Sequence, residues 1–179
     1  MRNGSGSGSD PIKILLVHGP NLDQLGRRDP VHYGTLELDG LLEVAQEEAR
    51  ACGAELDHAQ HDFEGALVSR LHAAHRDGTD AVIVNAGALT HYSYALRDAL
   101  EMLTIPKIEL HLSNVHGRER FRQRSVLAAA CDAAIAGLGP VGYRLAVRAA
   151  VALVEAGDRA GERGSKTATE AAETSDGRP

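Results

Sequence analysis

The sequence predicts an α/β fold, a three-layer sandwich in which helices cover both faces of a five-stranded parallel sheet. Three observations predict it. Short aliphatic runs recur without polar alternation, the pattern of strands buried on both faces. Apolar residues between those runs fall at helical spacing. The two kinds of segment alternate along the chain instead of segregating.

The elements follow in order. Ile12-Lys13-Ile14-Leu15-Leu16-Val17 is the first strand. Asp23 to Gly34 is polar, carries Gly26, Pro30 and Gly34, and is predicted to be a mobile lid. Leu38, Leu41, Leu42, Ala45, Ala49 and Cys52 form one helical stripe. Residues 54–60 are a weaker strand, followed by a stripe of Leu67, Leu71 and Ala74. Asp80-Ala81-Val82-Ile83-Val84 is a strand, and Leu96, Leu100 and Leu103 mark the next helix. Lys107-Ile108-Glu109-Leu110 is a strand, residues 131–136 are a weaker one, and Leu145, Ala149, Ala152 and Leu153 mark the last helix. Five strands fit the flavodoxin-like order 2-1-3-4-5. One catalytic domain over residues 11–158 accounts for all of them. Residues 1–10, a Gly/Ser alternation, are expected to be disordered. So are residues 159–179, where no apolar side chain is larger than alanine.

Composition narrows the functional classes. The chain has 179 residues, of which 43 % are hydrophobic and 25 % charged, the balance of a soluble globular domain. No apolar run approaches the roughly 20 residues that span a bilayer, and no secretory h-region is present, so membrane insertion and secretion are not expected. A net charge of −6 argues against non-specific nucleic-acid binding. Two cysteines cannot build a disulfide framework, and a cytoplasmic setting is expected.

In an open parallel sheet, ligands bind at the carboxyl ends of the strands. There the chain delivers His18-Gly19-Pro20-Asn21-Leu22, then Asn85-Ala86-Gly87-Ala88-Leu89-Thr90-His91, then His111-Leu112-Ser113-Asn114. Asn and Gly often do no more than make turns. Three such loops on one edge point to a site. Glu109 and His111 are two apart on a strand and share a face. A carboxylate there fixes the imidazole tautomer and raises its basicity, as a general acid requires. A solvent-facing charged pair is the alternative, and the apolar flanks Ile108, Leu110 and Leu112 oppose it. Arg118, Arg120, Arg122 and Arg124 follow, and on a helix Arg118 and Arg122 would point the same way. In an acidic chain this cluster suits one anionic ligand. Tyr33 shares the lid with Arg27 and Arg28. A guanidinium beside a phenol favours the phenolate, which makes a general base. Taken alone, Tyr33 also reads as an exposed loop tyrosine.

Five ordered motifs together carry a resemblance: GPNL at 19–22, LGRRxPxxYG at 25–34, NAGALTH at 85–91, ALRDA at 95–99 and ExHLSNVHxRExFR at 109–122. Over residues 12–155 the chain resembles the type II 3-dehydroquinate dehydratases. The resemblance implies dehydration of 3-dehydroquinate to 3-dehydroshikimate, in the shikimate pathway or in quinate breakdown, with no metal and no cofactor. It implies that Tyr33 is the base and that Arg28 keeps it ionised. Asn21 would hold a water at the enolate oxygen. His111 would protonate the departing hydroxyl, oriented by Glu109. Asn85 would position this histidine and the substrate, and His91 and Arg122 would bind substrate hydroxyls. The amides of Leu112 and Ser113 would cradle the carboxylate, with Arg118 as a supporting arginine. Asp98 would reach a neighbouring subunit's site in a homododecamer of four trimers. Departures from the family pattern fall at 58–65 (HAQHDFEG), at Tyr92 and Tyr94, and at 126–134 (VLAAACDAA), outside the expected catalytic groups.

Three rival readings are weaker. His58/His61 and His72/His75 suggest a metallohydrolase, but no His-Glu-x-x-His or Cys-x-x-Cys accompanies them. Gly137 to Gly142 matches G-x-G-x-x-G but follows the last strand, so a tight strand-to-helix turn explains it better than a dinucleotide site. A non-enzymatic flavodoxin-like binding module would need neither the Glu109–His111 pair nor the Tyr–Arg lid. Of three lysines, Lys13 and Lys107 lie near the amino ends of their strands and Lys166 in the tail, which argues against a Schiff base.

Overall fold

The computed structural model describes residues 10–27 and 36–175. Its centre is a five-stranded sheet of β1 (Ile12–His18), β2 (Ala54–Gln60), β3 (Ala81–Asn85), β4 (Lys107–His111) and β5 (Ala133–Ala136). All four pairings are parallel, in the order β2-β1-β3-β4-β5. The expected flavodoxin-like topology is the observed one. The helices are α1 (Leu38–Ala51), α2 (Glu64–Ala74), α3 (Tyr94–Glu101) and α4 (Pro140–Ser175).

Side chains alternate across the sheet and divide the core in two. Ile14, Leu16, Ile83, Ile108 and Leu110 face one cluster with α1 and α4. Leu15, Val17, Val82 and Val84 face the other with α2 and α3. The stripes expected for the first three helices are the buried ones, with Leu41, Ala45, Ala49, Leu67, Leu71, Ala74, Leu96 and Leu100 all in the core.

The last helix differs. Leu145 and Ala152 are exposed, and the face that packs is Tyr143, Ala146, Val147, Ala150, Val151 and Val154. Both stripes have helical spacing. The face rich in Ala and Val is the one on the sheet, where small side chains let the helix axis approach closely. Helix α4 also continues through Ser175, past the expected domain end at 158. Alanine and glutamate are strong helix formers, so backbone propensity extends the element where the apolar face stops. Among the described residues, no helix is long and apolar enough to cross a membrane.

The glycine-rich segment 137–142 is the strand-to-helix turn that its position implied. Gly137 and Gly139 adopt positive φ, and Pro140 opens α4.

Candidate active site

Strands β1, β3 and β4 end on His18, Asn85 and His111 at one edge of the sheet. The loops there are drawn together by a close approach. Gly19 N–H donates to the Asn85 carbonyl at 2.8 Å. A Cβ on Gly19 would sit 2.2 Å from the Ala86 carbonyl oxygen, so only glycine fits. Asn21 follows with φ +65°, a left-handed conformation that asparagine tolerates, and its N–H donates to Asp62 Oδ1 at 3.0 Å. The start of the expected lid is a packed turn, with Leu22 and Leu25 buried in the core.

A cleft of about 210 Å³ opens at this edge. Asn21, Asn85, His91, His111, Leu112, Ser113, Arg118 and Arg122 all line it. Glu109 lies directly behind His111 and is buried. Asp98 is exposed on α3 and does not line the cleft. Tyr33 and Arg28 lie outside the described residues.

His111 Nε2 is 2.8 Å from Glu109 Oε1. The Nε2–H therefore donates to the carboxylate, which leaves Nδ1 as the nitrogen free to exchange a proton in the cleft. Thr90 and Ser125 also donate to Glu109, Ser125 at 2.8 and 2.9 Å. The Ser125 hydroxyl is itself aimed by the N–H groups of Leu127 and Ala128. Burial pushes the Glu109 carboxyl up, but the bonds from His111 and Thr90, the charge of His111 and the bond from Ser125 hold it below its usual range. The buried interior strand β4 and its apolar neighbours thus give the Glu–His pair its desolvated setting, not a solvent-facing one.

His91 Nδ1 is 2.8 Å from the Arg124 carbonyl, so it carries a proton and Nε2 is left as an acceptor. Arg118 and Arg122 do not share a helix. They come from two separate 3₁₀ segments, Val115–Gly117 and Arg120–Gln123, with Arg118 just past the first. Short turns allow both to reach the cleft, while Arg120 and Arg124 stay exposed. Glu119 bridges the pair, 3.4 Å from Arg118 Nε and 3.0 Å from Arg122 Nε.

On the other face of the sheet lies a second polar group, of which sequence reasoning saw only parts. Asn85 Nδ2 donates to Tyr143 Oη at 3.0 Å, and Tyr143 Oη is 2.8 Å from His18 Nε2. His18 Nδ1 is 3.0 Å from His58 Nε2. Tyr143 was hidden in an apolar helical stripe, and nothing local announces its partners. Thr90 and Ser125 left a fainter signal, as small polar residues amid apolar runs. Among the described residues, no three His, Cys, Asp or Glu side chains are grouped to hold a metal ion.

The family described as Dehydroquinase class II matches residues 12–151. A 3-dehydroquinate dehydratase of Thermotoga neapolitana is 48 % identical over 136 residues, which cover 76 % of this chain and 92 % of that one. A catabolic 3-dehydroquinase of Debaryomyces hansenii is 47 % identical over 135 residues, 75 % of this chain and 94 % of that one. The crystal structure of a type II dehydroquinase from Butyrivibrio crossotus superposes with a TM-score of 0.77 at 40 % identity, covering 78 % of this chain and 97 % of that one. The chain belongs to the class II dehydroquinase family.

Proposed function

We propose that the chain dehydrates 3-dehydroquinate to 3-dehydroshikimate by anti elimination through an enolate, in the shikimate pathway or in quinate catabolism. The observation that carries the reading is the cleft itself: Asn21, Asn85 and a carboxylate-backed His111 at one sheet edge, facing two arginines. Loss of water next to a ketone needs a base for the α-proton, stabilisation of the enolate and an acid at the leaving group.

Tyr33 acts as a phenolate and takes the proton from carbon. Arg28 holds that phenol ionised through its fixed positive charge. Asn21 positions a water at the enolate oxygen. As the enolate collapses to the conjugated enone, the C–O bond breaks, and His111 Nδ1 gives the departing hydroxyl its proton, so water leaves. Glu109 stabilises the imidazolium and fixes its plane. Asn85 orients the substrate and His111. His91, through Nε2, and Arg122 bind substrate hydroxyls. The amides of Leu112 and Ser113 receive the carboxylate, with Arg118 in support. Asp98 serves a neighbouring subunit's cleft in a homododecamer of four trimers, and the cytoplasm suits two cysteines that are unpaired.

The direct test is to add 3-dehydroquinate and follow the ultraviolet absorbance of the conjugated product. Wild-type protein should show it. Tyr33→Phe should fold normally by circular dichroism and lose nearly all turnover. Substantial activity in that variant would remove Tyr33 from its role.

A further inference from the structure

On the face of the sheet opposite Glu109, Asn85 belongs to a second polar group whose other members, Tyr143, His18 and His58, have no part in the chemistry described so far. Tyr143, His18 and Asn85 are all buried, and His58 at the far end is half-buried. With the Asn85 amide nitrogen on Tyr143 and both His18 and His58 neutral, their donors and acceptors fall in one order. Asn85 Nδ2 donates to Tyr143 Oη, so the single phenol proton goes to the other neighbour, His18 Nε2. His18 then carries its proton on Nδ1 and gives it to His58 Nε2. Burial supports this order. It pushes the Tyr143 phenol well above its ordinary range, and the desolvation of His18, with the charge of His58, lowers that imidazole to about 3. Both groups are therefore neutral, each with one proton to place. Because the NH₂ end of the Asn85 amide is held on the core side, the carbonyl end faces the cleft that Asn85 lines.

We propose that Tyr143 and His18 are positioning residues that lock the Asn85 amide with its oxygen toward the substrate, as an acceptor for a ring hydroxyl, and that His58 sets the direction of the chain. This rests on the reading of the cleft given above. A second proton on His58 would make its Nε2 a donor. His18 would then have to accept at Nδ1 and donate from Nε2. The phenol proton would turn to Asn85, whose amide would rotate and present NH₂ to the cleft. The charged and titratable groups that act on His58 are Asp57, the next residue on its own strand with its side chain on the other face, Asp39 from α1, His61 beyond β2 and His18 from β1. Asp57 is itself engaged by Arg70 of α2 at 2.7 Å.

Imidazole nitrogen NMR on the full chain tests the order without reference to catalysis. His18 should show a protonated Nδ1 and a bare Nε2, and the proton should change nitrogen as His58 is titrated with acid. A bare Nδ1 on His18 at neutral pH, or nitrogen signals that stay put while His58 titrates, overturns the chain. Kinetics test the positioning role. Tyr143→Phe keeps the ring and removes the hydroxyl, and should lower kcat for 3-dehydroquinate by about tenfold, the scale of one hydrogen bond, with a smaller change in KM. Unchanged kcat in the folded variant overturns the role. Should that variant not fold, His58→Ala replaces it and must lose the acid-linked fall in kcat that His58 gives the wild type, a fall that persists unchanged if the proposal is wrong. A wild type that never turns over 3-dehydroquinate sinks the substrate reading instead and leaves the NMR result standing.

Discussion

Glu109 stays ionised in a buried place because its donors outweigh the cost of burial. Its charge is what lets His111 carry a proton to a leaving group. Ser125 supplies two of those contacts and is not among the residues that line the cleft. Ser125→Ala should therefore raise the Glu109 carboxyl and move the acid limb of the pH–rate profile to higher pH, with kcat reduced by about tenfold or less. A full profile with unmoved limbs would contradict this. His18 makes a stability prediction. It is held to about 3 by burial and by His58, against 6.5 in an unfolded chain. The unfolded chain therefore binds a proton that the folded one refuses whenever pH lies between those values. Stability should fall as pH drops from about 6.5 toward about 3, by at most roughly 1.4 kcal/mol per pH unit. Urea midpoints measured across this window should fall less steeply for His18→Asn than for the wild type. The pairing of Glu109 with His111 was legible from spacing alone, since residues two apart on a strand share a face. Its donors were not, because Thr90 arrives from a 3₁₀ turn 19 residues away in sequence and Ser125 from a loop 16 residues away.

At the scale of elements, the strand ends are what bring the site together. The strands were legible because burial on both faces demands an unbroken apolar run, and their order followed from strand–helix alternation. The leucine-bearing stripe on α4 is not the buried one, because close helix–sheet contact selects small side chains. The arginine run differs too: spacing by four implies a helix, and two short 3₁₀ segments deliver the same side chains. The loops that follow β1 and β3 approach closely at Gly19. Gly19→Ala must push against the Ala86 carbonyl at 2.2 Å. The variant should lose roughly 2 kcal/mol or more in urea unfolding. It should also raise KM, because Asn21 and Asn85 lie on the two segments forced apart.

At the scale of the molecule, the sequence reads as one domain with one cleft, yet several large apolar side chains remain outside. Phe63 is 79 % exposed, Tyr92 61 %, Met102 60 % and Tyr94 56 %. Three of these fall at or beside the departures from the family pattern at 58–65 and at 92 and 94. Light scattering should give a mass near twelve times 19.0 kDa, and a monomer mass would refute the assembly proposed here. Two separate polar networks, one from each side of the sheet, meet at its edge: Thr90, Ser125, Glu109 and His111 on one, His58, His18, Tyr143 and Asn85 on the other. The sheet backbone lies between them, and they come together where Asn85 and His111 line one cleft. Damage to either network therefore reaches the same substrate, and Ser125→Ala combined with Tyr143→Phe should lose less rate than the product of the two single losses.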